Sequence, residues 1–151
     1  MRGQGRASAT PEAAGSQSLD TVVLDTSALM AVLLGEPAGA ACAVVLGTET
    51  RLLISAGTLA EALIVAGNRR IGTEMATLVA EGGVQVVPVT AATAARVAEA
   101  YAAWGKGNHP AGLNFGDCFA YALACETSFP LLYVGQDFAR TDVAAAVRKL
   151  P

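Results

Sequence analysis

The feature that most constrains the fold is an alternation, starting at Thr21, of short β-branched runs with longer segments rich in alanine and leucine. This alternation is typical of a parallel sheet covered by helices, because parallel strands need a crossover connection long enough to hold a helix. The runs TVVL and LLYV are apolar on both faces, as expected of central parallel strands. The pattern therefore predicts an α/β domain with a mainly parallel sheet.

Apolar runs and turn residues set the expected element boundaries. Strands are predicted at residues 21–25, 51–55, 84–88 and 131–134, with a weaker edge strand at 145–147. Helices are predicted at residues 27–34, 38–46, 58–68, 72–81, 91–104 and 115–126. Pro37 is expected to open a helix, Gly82 and Gly83 to close one, and residues 105–112 to form a loop.

Composition favours one soluble domain. With 151 residues, 53% of them hydrophobic and 15% charged, the chain can enclose a single large core. Residues 1–20 have no apolar segment typical of a secretory signal, so we interpret them as a flexible leader or an extension before a domain at 21–151. No apolar run reaches the roughly 20 residues of a spanning helix. Three cysteines without C-x-x-C spacing predict buried thiols in a reducing cytoplasm.

Two carboxylates follow predicted strands. Asp25 comes directly after VVL, and Asp137 comes shortly after LLYV. Open α/β sheets bind ligands at the carboxyl ends of their strands. Both acids also have a local interpretation, because Asp25 can cap the following helix and Asp137 can be a turn residue.

Two more carboxylates are the single charges of apolar helices. Glu61 is the only charge in TLAEALIVAG, and Asp117 is the only charge in NFGDCFAYALAC. An unpaired buried carboxylate is costly, so each of these acids needs a partner. A capping alternative exists for both, because Thr58 and Asn114 stand three residues before Glu61 and Asp117.

A shared site explains all four acids together. Right-handed crossovers place the carboxyl ends of parallel strands at one edge of the sheet, and the next helices begin there. Converging carboxylates suit a hard cation, Mg²⁺ or Mn²⁺, and without it they would repel one another, which would raise some of their pKa values. One histidine and scattered cysteines do not suit zinc. A carboxylate-held cation can support phosphodiester hydrolysis.

Other reaction classes lack their motifs. The sequence has no G-x-x-x-x-G-K-[ST], G-x-G-x-x-G or G-x-S-x-G pattern. A phosphatase or receiver-like domain with Asp25 as phosphoacceptor would need a paired acid beside Asp25 and a lysine near the last strand, and neither is clear.

The segments VLDTSALMAVLLGEP, TLAEAL, GLNFGDCFAYALA and LLYVGQDFARTD resemble the PIN-domain toxin ribonucleases of VapBC toxin–antitoxin modules. The resemblance runs from about residue 22 to 147 and implies a three-layer α/β/α fold. It implies that Asp25 and Asp117 bind the metal directly and that Glu61 and Asp137 complete the acidic pocket. Thr26 and Asn114 would support these acids. Where the family often has D-x-D-F, this chain has Gly135, which leaves Asp137 alone, with Asp142 in a supporting position.

The resemblance further implies a homodimer, an RNA substrate cut internally, and inhibition by a VapB-type antitoxin. The net charge of −3 means that any phosphate contacts depend on a few local cations, for which Lys106, His109 and Arg140 are candidates. The alternative function is a PIN-like domain that binds RNA or protein without cleavage.

Overall fold

The computed structural model describes residues 21–48 and 51–147. In these residues four strands form one sheet, at β1 Thr21–Leu24, β2 Arg51–Ser55, β3 Gln85–Val87 and β4 Leu131–Leu132. Six α-helices occur in the described ranges, at α1 Thr26–Leu33, α2 Gly39–Gly47, α3 Ala56–Asn68, α4 Gly72–Glu81, α5 Ala91–Trp104 and α6 Phe115–Thr127. A short 3-10 helix spans Phe138–Arg140.

All strand pairs are parallel, and the strand order is β3-β2-β1-β4. Val23 of β1 is paired with Leu53 of β2 and with Leu131 of β4. This order places β1 in the interior of the sheet, between β2 and β4. Asp25, which follows Leu24, therefore has neighbouring strands on both sides.

Alternating side chains of β1 divide the core into two layers. Val22 and Leu24 pack with residues of α1 to α4, whereas Val23 packs with residues of α5 and α6. The helices therefore cover both faces of the sheet, which is the three-layer α/β/α architecture predicted above.

The predicted elements are confirmed, with shifted boundaries. The largest change at a helix start is in α3, which begins at Ala56 with Ser55 as its N-cap, two residues before the predicted start. The fourth strand is shorter than predicted, and the weak edge strand is reduced to a bridge between Leu131 and Ala145. The proposed leader, residues 1–20, lies outside the described residues.

Two smaller expectations have different outcomes. Cys42 and Cys118 are buried, but Cys125 is exposed, so the prediction of three buried thiols is wrong at that position. Within the described ranges, every helix is too short or too polar to cross a membrane.

Candidate metal centre

Asp25 stands at the carboxyl end of β1 and is the N-cap of α1. Its Oδ2 accepts hydrogen bonds from the Ser27 amide at 3.0 Å and from Ser27 Oγ at 2.6 Å. Its Oδ1 is buried and has no hydrogen-bond partner among the described residues, and the whole residue is only 2% exposed. Asp25 therefore caps the helix with one oxygen and keeps the other available.

Burial raises the pKa of the Asp25 carboxyl above its usual value, and the charge of Glu61 raises it further, although the hydrogen bonds from Ser27 oppose this shift. A cation beside Asp25 would oppose this shift and favour the charged carboxylate.

Glu61 projects from α3 onto the first turn of α6. A Cβ on Gly116 would overlap the Glu61 carboxylate, so the contact depends on the absence of a side chain at position 116. Because Ser55 caps α3, Thr58 is the third residue of the helix and not its cap. The capping alternative for Glu61 is therefore wrong.

Asp117 takes part in a helix cap and also belongs to the acid cluster described below. Its Oδ2 accepts a hydrogen bond from the Asn114 amide at 3.0 Å, and Asn114 Oδ1 accepts one from the Asp117 amide at 2.8 Å, which completes a capping box. Burial raises the pKa of Asp117 to about 7, helped by the negative charges of Asp25, Glu61 and Asp137 and opposed by the hydrogen bond from Asn114.

Asp25, Glu61 and Asp117 each offer an oxygen to one cluster, and these oxygens lie within 4.8 Å of one another. Asp137 is not in this group. It is exposed and precedes the short 3-10 helix without a side-chain capping hydrogen bond, although its charge still acts on Asp117. The predicted set of four is thus three convergent carboxylates with a fourth nearby.

The supporting residues differ from the expected pair. Asn114 holds Asp117 as described, but Thr26 Oγ1 donates to the Thr58 carbonyl at 3.4 Å and not to an acid. Ser27 instead orients Asp25, and its Oγ also accepts a hydrogen bond from the Val134 amide at 3.0 Å. Ser27 therefore ties the end of the β4 segment to Asp25, a long-range contact that the D-T-S motif alone did not assign.

The three candidate cations lie in or beside the loop that precedes α6. Lys106 is exposed, and the His109 ring packs edge-on against Trp104 at a centroid distance of 4.6 Å. His109 Nδ1 accepts a hydrogen bond from the Ala111 amide, and the Arg140 guanidinium donates one to the Pro110 carbonyl at 3.1 Å. Arg140 is therefore anchored to the same loop as Lys106 and His109.

The acid cluster fits a divalent metal ion. Asp25 has a buried oxygen without a hydrogen-bond partner among the described residues, and the three carboxylate oxygens are close enough together to bind one ion. In the described ranges the ion pair is Arg96 with Glu126, so no side-chain cation neutralises these acids there. An all-oxygen set of this kind suits hard cations.

Comparison with known proteins places this geometry in a family. The sequence pattern of the PIN domain matches residues 22–144. The chain belongs to the PIN-domain family. Within it, the chain belongs with the VapC ribonucleases. It is 41% identical to Ribonuclease VapC28 of Mycobacterium tuberculosis over 130 residues, covering 83% of this chain and 98% of that one. It is 39% identical to Ribonuclease VapC of Mycolicibacterium smegmatis over 127 residues, covering 82% and 98%.

Solved structures share the fold of this PIN domain. VapC20 of Mycobacterium tuberculosis, described as a toxin that cleaves the sarcin–ricin loop, has a TM-score of 0.67 and 19% identity, covering 85% of this chain and 99% of that chain. A toxin–antitoxin complex from Klebsiella pneumoniae has a chain with a TM-score of 0.60 and 17% identity, covering 80% and 92%. At these identities the likeness concerns the fold.

Proposed function

We propose that this PIN domain is the toxin of a type II toxin–antitoxin module and hydrolyses RNA phosphodiester bonds internally with a bound Mg²⁺. The observation that carries the proposal is the convergence of Asp25, Glu61 and Asp117 with a buried, unpartnered Asp25 oxygen. The names of the VapC ribonucleases at 41% identity support the same reaction class.

Asp25, Glu61 and Asp117 would hold the ion, and Asp137 would contribute from the rim. An all-carboxylate set suits Mg²⁺ and Mn²⁺ alike, so Mn²⁺ is the alternative ion in this proposal. When bound, such a cation can activate a water and stabilise the charge that grows on a phosphoryl group.

The surrounding residues prepare the acids for this task. Ser27 fixes the orientation of Asp25, and Asn114 fixes that of Asp117, so neither carboxylate must be ordered when the cation arrives. Gly116 leaves room for Glu61. Because the pKa of Asp117 is about 7 without metal, binding of a cation near neutral pH would release a proton from this residue.

Lys106, His109 and Arg140 are proposed to contact the RNA backbone. This proposal is supported by where they lie. Lys106 and His109 belong to the loop just before α6, the helix that carries Asp117, and Arg140 is hydrogen-bonded to that loop. A chain with a net charge of −3 has little general attraction for RNA, so local contacts of this kind would matter more.

The partner of this toxin is proposed to be a VapB-type antitoxin. A solved toxin–antitoxin complex with the same fold supports an antitoxin partner in general. We also propose a homodimer, for which the exposed apolar side chains of Leu63 and Ile64 on α3 offer a contact surface. Cytoplasmic placement remains a prediction from the sequence.

The reaction is tested by incubating the purified chain with an RNA pool, with and without Mg²⁺ and a chelator. The Asp25→Asn variant keeps the shape of the capping side chain but removes its charge, and Glu74→Gln changes an exposed acid on α4 as a control. Cleavage should require Mg²⁺, persist in the control, and fall by about 100-fold or more in Asp25→Asn. Cleavage that persists in the presence of chelator would contradict the metal mechanism. Mg²⁺ binding without any cleavage would favour the alternative, a PIN-like domain that binds RNA or protein without cleavage.

A further inference from the structure

Phe115, the first residue of α6, has an unusually open position for an aromatic ring. It is 69% exposed, the highest value among the large apolar side chains that the structure describes. Single exposed apolar side chains are common on protein surfaces, so exposure alone assigns no role to Phe115. Its support and its position beside the acid cluster do.

The ring is nevertheless held in a defined orientation. It packs edge-to-face on Phe119, with a centroid distance of 5.1 Å and an interplanar angle of 85°. Phe119 in turn lies against Gly57 of α3, where a Cβ would overlap its ring. The support under Phe115 therefore extends through α6 into α3, and one surface of the ring remains open to solvent.

Phe115 is also continuous with the acid cluster. The residue before it, Asn114, holds Asp117, and the residue after it, Gly116, contacts the Glu61 carboxylate. The ring thus projects from the turn that positions two of the three convergent acids. A polymer with a phosphate at the cluster would bring its adjacent bases to the surroundings of this turn.

We propose that Phe115 is a stacking platform for an unpaired nucleobase next to the phosphate that is cleaved. The inference rests on the proposed ribonuclease function and adds a binding subsite to it. Stacking on an aromatic ring accepts any base, and it requires that the base is free of a duplex. The substrate class is therefore RNA with a single-stranded segment at the cleavage position.

Binding is measured with a short, fluorescently labelled single-stranded RNA of mixed sequence and with the same RNA annealed to its complement. Phe115→Ala should weaken binding of the single strand by about 10-fold, a loss typical of one stacked base. Phe115→Trp should restore binding, and its added indole fluorescence should be quenched by the single strand. Val44→Ala, which changes a side chain that is 67% exposed on α2, is the matched control.

Cleavage kinetics give a second measurement. Phe115→Ala should raise KM by a similar factor with little change in kcat, because the ring touches the base and not the reacting atoms. Unchanged affinity and KM in Phe115→Ala would overturn the proposal, as would a preference for the duplex. A change of oligomeric state in Phe115→Ala, seen by light scattering, would overturn it by assigning the ring to a protein contact.

The two proposals fail differently. If the wild-type chain binds the single strand through Phe115 but never cleaves it, the ribonuclease function is wrong and Phe115 is a base-stacking site of an RNA-binding domain. If the wild-type chain cleaves RNA and Phe115→Ala does so with the same KM, the ribonuclease stands and the subsite is wrong. A wild-type chain that binds no RNA contradicts both.

Discussion

At the residue scale, the acid site depends on a glycine as much as on its carboxylates. Gly116 has an ordinary helical position, and its importance comes from the Glu61 carboxylate that lies where a side chain would be. The sequence offers no signal for this contact, because the FGD motif alone gives no reason for a missing Cβ at that position. Ser27 is a similar case, since its bond to the Val134 amide spans 107 residues.

Gly116→Ala should separate stability from activity. The new methyl group must displace the end of the Glu61 side chain, which is flexible, while alanine is favoured over glycine in a helix by about 1 kcal/mol. We expect a free energy of unfolding equal to or above that of the wild type and a loss of RNA cleavage of about 10-fold or more. Chemical denaturation and initial cleavage rates measure the two effects, and Gly67→Ala, with open space around it on α3, is the control. Full activity in Gly116→Ala would show that the position of Glu61 is unimportant.

At the element scale, α3 shows that the residue at which a helix begins decides the structural role of the side chains that follow. The T-x-x-E spacing suggested a capping box, but Ser55 accepts the Gly57 amide at 3.3 Å and begins the helix earlier. Thr58 is consequently a buried residue of the first turn, with an Oγ1 that has no partner among the described residues. Glu61 is then free of any capping role and faces α6.

Two substitutions on α3 should therefore act in opposite ways. Ser55→Ala removes the cap and should lower the free energy of unfolding by about 1 kcal/mol. Glu61→Gln removes no cap and relieves repulsion with Asp25 and Asp117, so without metal it should leave stability unchanged or raise it. Thermal unfolding in chelator measures both. A loss of stability in Glu61→Gln as large as that in Ser55→Ala would restore the capping interpretation.

At the scale of the whole molecule, the three acids make stability depend on pH and metal. The Asp117 carboxyl has a pKa of about 7 in the folded chain and about 3.9 in an unfolded one. Between these values the folded state binds more protons, so this group favours folding at low pH, and that contribution is lost as pH rises through 7. Burial of Asp25 acts in the same direction.

In chelator, the wild-type chain should therefore gain stability, relative to Asp117→Asn, as pH falls from 8 towards 5. At pH 8 the Asn variant should melt higher, by about 4 °C for each kcal/mol of repulsion removed. Added Mg²⁺ should raise the melting temperature of the wild type and not that of the variant, since a ligand stabilises only the state that binds it. Parallel pH profiles of the two proteins without metal would contradict the raised pKa.

The sequence by itself determined the order and type of the elements, the parallel sheet and the places of four acids relative to strand ends and helix starts. These features follow from local patterns of apolar, glycine and proline residues, which act over one element at a time. It also allowed two roles for each acid, because the same position suits a local role in a cap or turn and a role as a metal ligand.

Only the tertiary structure decided which acids are caps and which of them lie together. It placed Asp25 and Asp117 both at a helix cap and in the acid cluster, removed the cap from Glu61 and left Asp137 outside the group of three. It also revealed the hydrogen bond from the Val134 amide to Ser27 Oγ, the contact of Gly116 with Glu61 and the open ring of Phe115. These outcomes depend on how α3, α6 and the β4 segment pack together, and contacts between residues far apart in the chain leave no periodic trace in the sequence.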